Sequence, residues 1–488
     1  MGAEPGRSAR SSREAAPSGA ESLYASRVRV YPRSVSGRWR TVKWALLVAC
    51  LGIYYAGAWL RWDRGPEAPG QALLIDMVGR RAYFFDLEIW PQEVYYITGL
   101  LILGAIGLFL ATSLFGRVWC GYACPQTVWT DLFMLVERWI EGDRNERIRR
   151  DKGPRTAGKV ARKAVKHAAW LLISLATGGA WVWYFNDAPT VTRAFLAGDA
   201  GLGVYFFVGL FTVTTYTFAG WAREQVCTYM CPWPRFQAAM FDEHSFTVTY
   251  RAWRGEPRGA KRKDQPWEGR GDCIDCKACV QVCPTGIDIR NGPQLQCIGC
   301  ALCVDACDDI MDRIDRPRGL IAWTTFAADA AAARKEKPVH RLLRPRTLIY
   351  AGLLATVAGV MAAGLLLRAT VEVNVQRDRS PQFVTLADGA IRNGYTVKVL
   401  NKTRSPATYT LRFDGPPGSS VALADGAPTT GALELAVRSD AVGTFTIYAR
   451  APRAGLPGAF TDVTFRVLDG SGRVVARRTT VFAGPAAR

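Results

Sequence analysis

Histidine is almost missing from this chain: His167, His244 and His340 are the three among 488 residues, and none lies inside an apolar run. A haem held in a helix bundle needs paired axial ligands, so their absence argues against transmembrane haem. Acidic residues are also scarce, 42 against 62 Lys and Arg, which leaves a net charge of +20. Charge of either sign is missing from five stretches of 17 to 23 residues, at 44–60, 94–115, 168–185, 200–222 and 347–367. About 20 apolar residues at 1.5 Å rise cross a ~30 Å hydrocarbon core, so five transmembrane helices are expected. A cleavable signal is not expected, because more than 40 residues precede the first stretch and no Ala-x-Ala site follows it.

The positive excess follows the expected topology. Residues 1–43 carry nine basic and three acidic residues, and 116–164 carry eleven and six. The segments between are poorer in cations: four against six acids at 61–93, and one against two at 187–199. Lys and Arg therefore alternate as the positive-inside rule requires, with the N-terminus cytoplasmic and the C-terminus exported by the fifth span. Basic residues are not gathered on one folded face with interleaved aromatics, so no nucleic-acid partner is expected.

This divides the chain into a disordered basic cytoplasmic tail (1–40), a four-helix membrane domain (41–250), a cytoplasmic cysteine-rich domain (251–346), a fifth span (347–368) and an exported domain (369–488). After the second stretch, the apolar positions Val128, Trp129, Leu132, Phe133, Val136, Trp139 and Ile140 recur at helical spacing, interrupted by Asp131, Glu137 and Arg138. They predict an interfacial amphipathic helix and not a sixth span. No cysteine follows the fifth span. Short β-prone runs at 371–375, 395–400, 408–413, 444–448, 463–467 and 474–481 alternate there with turn residues, which predicts a β-sandwich of six or seven strands.

Thirteen cysteines divide as eight, four and one. The eight form Cys273-x2-Cys276-x2-Cys279-x3-Cys283-Pro284 and Cys297-x2-Cys300-x2-Cys303-x3-Cys307. That spacing holds two 4Fe-4S clusters, the fourth cysteine of each run serving the other cluster. Cys273, Cys276, Cys279 and Cys307 would hold the first, and Cys297, Cys300, Cys303 and Cys283 the second. Structural zinc does not need the third cysteine of each run. Asp308 stands where proline usually follows such a run, which changes the turn beside one cluster without removing a ligand.

The four are Cys120, Cys124, Cys227 and Cys231, in a duplicated Cys-x-Tyr-x-Cys-Pro. Helical residues i and i+4 share a face, and the proline marks a break after each pair. Two such pairs suit Cu(I) or another soft ion, a redox-active disulfide, or simply packing by small residues. Met230 offers a thioether beside the second pair, though a packing role is the simpler reading. Cys50, alone in the first span, reads as packing, and Asn401-Lys402-Thr403 as a turn.

Together these parts resemble the CcoG (FixG/RdxA) family over residues 40–485. The resemblance implies an immunoglobulin-like sandwich on a bacterial inner-membrane protein that assembles cbb3-type cytochrome c oxidase. It implies reduction of Cu(II) to Cu(I), with Cys120, Cys124, Cys227 and Cys231 as catalytic copper ligands. Its implied partners are the membrane, the oxidase assembly factors and copper-delivery proteins; a homodimer stays open. An electron-transfer subunit of a nitrate or nitrous oxide chain shares the cysteine repeat, and a non-catalytic assembly scaffold is the third alternative. No nucleotide motif names the electron donor.

Overall fold

A computed structural model describes residues 29–65, 68–261, 267–338 and 340–485. Of the tail expected to be disordered, residues 1–28 fall outside these. Residues 29–37 were assigned to the same tail, yet they form a packed strap. Arg33 N–H donates to the Gln281 carbonyl at 2.8 Å, Tyr31 hydroxyl to Asp151 at 2.8 Å, and Ser34 hydroxyl to Asp143 at 2.7 Å.

The helical part begins with α1 (Arg38–Ala56). A three-stranded antiparallel meander follows, β1 (Leu73–Asp76), β2 (Arg81–Phe84) and β3 (Leu87–Ile89), in what the sequence offered only as a mixed loop. Next come α2 (Tyr95–Phe115), α3 (Pro125–Glu141), α4 (Arg144–Lys152), α5 (Ala157–Trp183), α6 (Ala188–Ala197), α7 (Leu202–Thr215) and α8 (Trp233–Met240). The cysteine-rich insert contains β4 (Phe246–Tyr250), α9 (Ala252–Gly255), α10 (Ala278–Gln281), α11 (Leu302–Arg313), β5 (Ile321–Thr325) and α12 (Phe326–Ala333), and β4 pairs antiparallel with β5. Then α13 (Pro345–Leu366) leads to the C-terminal strands.

Four helical segments among the described residues are long and apolar enough to cross a membrane: Arg38–Trp59, Pro91–Phe115, Leu202–Ala222 and Pro345–Leu366. The fifth uncharged stretch, 168–185, forms most of the C-terminal half of α5, but Trp, Ser, Thr and Gly dilute its apolar content. Those residues serve packing. Ser174 and Gly178 are buried, and a Cβ on Gly178 would stand 2.6 Å from the Val208 carbonyl of α7. Small residues let two such helices approach closely.

The helix expected at the membrane interface forms as α3, and its acids turn inward. Asp131 is 1% exposed and pairs with Arg40 at 2.9 Å; Glu137 is fully buried and pairs with Arg147 at 2.7 Å, Arg223 at 2.9 Å and Lys166 at 3.4 Å. What looked like interruptions of an apolar face are the centre of a buried ion network. Buried charges persist only when paired in this way.

The C-terminal unit is a two-sheet sandwich. One sheet runs β10 (Ser420–Leu423), β12 (Ala441–Ala451), β8 (Ile391–Asn401) and β6 (Val371–Arg377), with β7 (Val384–Thr385) added to β8. The other runs β11 (Ala432–Val437), β9 (Ala407–Asp414), β13 (Phe460–Leu468) and β14 (Val474–Ala483). Alternate residues of β8, Ile391, Tyr395, Val397 and Val399, meet Leu411, Phe465 and Phe482 in the core, as period-two strands require. The sequence reading missed β7, β10 and β11, and Ala432-Leu-Glu-Leu-Ala-Val437 shows why. Its residues favour helix, and only pairing with β9 makes it a strand. Asn401 is buried, and its amide donates to the Ser405 and Arg438 carbonyls, so it is a turn residue.

Candidate functional site

The two cysteine loops of the insert share one backbone path. After Cys273, positive φ occurs at Asp275 (55°) and Lys277 (56°), and α10 starts at once; after Cys297 it occurs at Gly299 (70°) and Ala301 (56°), and α11 starts at once. Left-handed residues at these offsets curl each loop around an enclosed space. Cys273, Cys276, Cys279 and Cys307 line one cavity. Cys283, Cys297, Cys300 and Cys303 line the other, which Cys279 also reaches.

All thirteen cysteines are free thiols. Among the described residues no three His, Cys, Asp or Glu side chains close around a single ion. The two thiol-lined cavities have apolar walls, Val248, Ile289 and Ile298 in one and Ile310, Leu320 and Ile321 in the other, which suits a thiolate-bound cubane. Burial pushes Cys279, Cys297 and Cys307 up to about 12. Such thiols ionise only against the charge of a bound metal group.

The Asp308 departure has a local consequence. α10 stops at Gln281, just before Cys283-Pro284, whereas α11 continues through Cys307 and Asp308 to Arg313. Proline lacks the N–H that would extend the helix. Asp308 has one, and its carboxylate accepts the Gly319 N–H at 2.8 Å.

The duplicated motifs also share a backbone, though not the expected α-helical one. Each forms a single π-helical turn, Trp119–Ala123 and Val226–Met230. Each turn is closed from the second cysteine to the carbonyl five residues back, Cys124 to Trp119 and Cys231 to Val226, both at 2.8 Å. Cys124 and Cys231 are then extended, because each precedes a proline. A positive φ stands four residues before each first cysteine, at Gly116 (66°) and Arg223 (45°). Burial pushes Cys120 and Cys227 up to about 12, and charges on Cys124 and Cys231 act on both, so the two pairs lie within electrostatic reach of each other. Met230 and Tyr229 are exposed.

The first turn sits directly on the second cysteine loop. Tyr122 is buried and donates its hydroxyl to the Cys300 carbonyl at 3.1 Å. A Cβ on Gly121 would come within 3.0 Å of the Ile298 carbonyl and 3.1 Å of the Cys300 backbone. Arg117 donates to the Cys297 carbonyl at 2.9 Å and the Pro234 carbonyl at 2.7 Å. Cys120 and Cys227 pack on the same apolar cluster as Cys300 and Cys303. Beyond the loop, Asp305 on α11 accepts the Trp39 and Arg40 N–H groups at 3.2 and 2.8 Å, capping α1.

Membrane-length helices and two cysteine loops around buried, apolar-walled cavities define the class: a membrane iron–sulfur oxidoreductase. A 4Fe-4S binding domain matches residues 97–142, a 4Fe-4S dicluster domain 222–326, and the Ig-like fold at the C-terminus of FixG 361–485. The chain is 48% identical over 460 residues to the nitrogen fixation protein FixG of Rhizobium meliloti, covering 88% of each. It is 50% identical over 457 residues to protein RdxA of Cereibacter sphaeroides, covering 93% of this chain and 96% of that protein. A solved FixG-related protein from Vibrio parahaemolyticus is 23% identical, covering 24% of this chain and 97% of that one, with a TM-score of 0.20. The chain belongs to the FixG/CcoG family.

Sequence reasoning missed Arg117, Gly121 and Asp305, and it read Tyr122 only as part of the repeat, without its partner Cys300. Glycine between two bulky residues at Cys120-Gly-Tyr122 hinted at a close approach, but nothing in the pattern said to what. The three histidines stay outside the site: His167 Nδ1 lies 2.9 Å from the Tyr216 hydroxyl, His244 follows α8, and His340 stacks on Phe246. Cys50 is half-buried on α1.

Proposed function

We propose that this protein passes single electrons through two 4Fe-4S clusters to Cu(II) held at Cys120, Cys124, Cys227 and Cys231, producing Cu(I) for the copper centre of a cbb3-type oxidase. Cys273, Cys276, Cys279 and Cys307 would hold one cluster, and Cys283, Cys297, Cys300 and Cys303 the other. When bound, these clusters supply one-electron storage. The chain would cross the bacterial inner membrane five times, α5 being the additional span. The cysteine loops and N-terminus would then be cytoplasmic, and the sandwich periplasmic, where oxidase assembly and copper-delivery partners meet it. The alternation of Lys and Arg supports this orientation.

One observation carries the reading: the first π turn rests on the Cys297–Cys303 loop through Tyr122, Gly121 and Arg117. Cys120 and Cys227 pack on the apolar cluster that holds Cys300. Gln237 accepts from the Cys120 thiol at 3.2 Å and favours the protonated form, while Thr127 donates to the Cys120 carbonyl at 2.6 Å and holds the turn. A soft ion displaces the thiol protons and takes the thiolates. Reduction then adds one electron to Cu(II), and no bond to substrate is made or broken except metal–sulfur.

The test is Cu(I) formation by anaerobically purified, pre-reduced protein, compared with Cys120→Ala, Cys227→Ala and the double variant at matched iron content. Ligands of one site act as a unit, so each single variant should lose activity and the double should be hardly worse. Full Cu(I) formation by the double variant would leave packing as the role of these cysteines.

A further inference from the structure

A second cavity, of about 180 Å³, lies beside the Cys297 loop, between α8, the β4–β5 pair and the 293–299 segment. Its walls are mostly apolar and aromatic, with Phe241, Leu295, Trp323 and Phe326 around Arg117, the one cation among the described lining residues. Val248, Ile289 and Cys297 line both this cavity and the thiol-lined one behind it.

Arg117 is 8% exposed, and its two terminal nitrogens are committed to the Leu295, Cys297 and Pro234 carbonyls. Its Nε is buried without a partner. An unmet buried donor is costly, and a ligand oxygen brought against the guanidinium would relieve that cost.

We propose that this cavity binds the ring of a lipid-soluble quinone, with the ring against Trp323 and Phe241 and one ring oxygen beside the Arg117 guanidinium. Size and charge select this class. Sites enclosing a whole drug-sized ligand run to about 300–1,000 Å³, so this one takes a ring whose tail remains outside. A nucleotide cofactor would need further cations for its phosphates, and among the described residues the lining has one guanidinium. Position selects it too. Arg117 lies two residues past α2, and Phe241 directly follows α8, whose Trp233 stacks on Phe109 of α2 at 5.7 Å. The mouth therefore opens at the end of the membrane-length helices, with Leu295 (49%) and Phe326 (36%) exposed at its rim.

Oxidation of one hydroquinone to the quinone releases two electrons and two protons. The electrons leave one at a time through the Cys297 side to the two clusters of the functional reading above, and the protons pass to water at the cavity mouth. Binding of the ring does not depend on that reading, but its use as a donor does.

Photoaffinity labelling with an azido-ubiquinone, competed by decylubiquinone, tests the proposal on the detergent-purified full chain. Label should fall on the segments around Phe241 and Trp323. Ala238→Trp, which fills the cavity without touching the Arg117 hydrogen bonds, should weaken decylubiquinone binding roughly tenfold or more with iron content unchanged. Arg117→Lys, which keeps the charge and removes Nε, should weaken it as well. Equal affinity in Ala238→Trp, label on another surface, or flavin mononucleotide displacing the label would overturn the proposal. Failure of the cluster reading would show separately, as iron-poor wild-type protein that still takes the label.

Discussion

Tyr122 donates its hydroxyl proton to the carbonyl oxygen of Cys300 at 3.1 Å, joining residues 178 positions apart. It ties the first π turn to a cysteine that lines the second cavity. Its counterpart Tyr229 in the second motif is 73% exposed. The sequence repeat is symmetric, and its packing is not: Tyr122 is buried against the insert, whereas Tyr229 is exposed.

That contact can be weakened in two grades. Tyr122→Phe removes one hydrogen bond and should cost about 1 kcal/mol, with iron and Cu(I) formation retained. Gly121→Val places carbon 3.0 Å from the Ile298 carbonyl and must push the turn from the loop. It should retain iron and lose most Cu(I) formation from pre-reduced protein. Equal rates in Gly121→Val and wild type would show that this contact is not the electron path.

Cluster content is a direct count. Anaerobic protein should hold about eight iron and about eight acid-labile sulfide, as two cubanes require. Cys283→Ser should disturb the EPR signal of the cluster shared with Cys297, Cys300 and Cys303 and leave the other. Stoichiometric zinc with little iron would replace the cluster reading by structural zinc.

Glu137 tests the buried ion network. Burial alone would raise its pKa, yet Arg223, Arg147 and Lys166 hold it below the usual carboxylate value. Glu137→Ala leaves those cations buried without an anion and should destabilise the fold by about 3–5 kcal/mol. Thermal unfolding in detergent reads this. A shift no larger than that of an exposed control such as Glu243→Ala would contradict the network's role.

The meander and the sandwich meet through a shared cation. Arg81 Nη1 lies 2.9 Å from Glu88 and 2.7 Å from Asp440. Burial raises the Glu88 pKa, and the neighbouring Asp440 raises it further, to about 8 from an ordinary 4.5. The docked state therefore binds the proton more tightly than the undocked one. That contribution is complete below the ordinary value and is lost as pH rises toward about 8. Hydrogen exchange at the meander should accordingly quicken between about pH 5 and pH 8, and Glu88→Gln should flatten the change. An unchanged profile in Glu88→Gln would remove Glu88 as its source.

Local rules made much of this protein readable. Cysteine intervals mark the two cluster loops, because thiols two residues apart followed by a fourth three further on are the spacing of cubane ligation. Prolines after Cys124 and Cys231 determine breaks, since their ring forbids a continued helix. Uncharged length marks membrane helices, and alternation with turn residues marks most of the sandwich.

Tertiary structure decided what depends on partners distant in sequence. Whether Glu137 interrupts a face or anchors a core turns on Arg147, Lys166 and Arg223, which arrive from three other segments. Whether 168–185 resembles its apolar neighbours turns on α7, whose close approach requires Gly178. Asp305 caps a helix that began 267 residues earlier, and Tyr122 finds its acceptor 178 residues later. Local propensity cannot encode such pairings. They are set by the burial of polar groups that must each find a partner once the chain has closed around them.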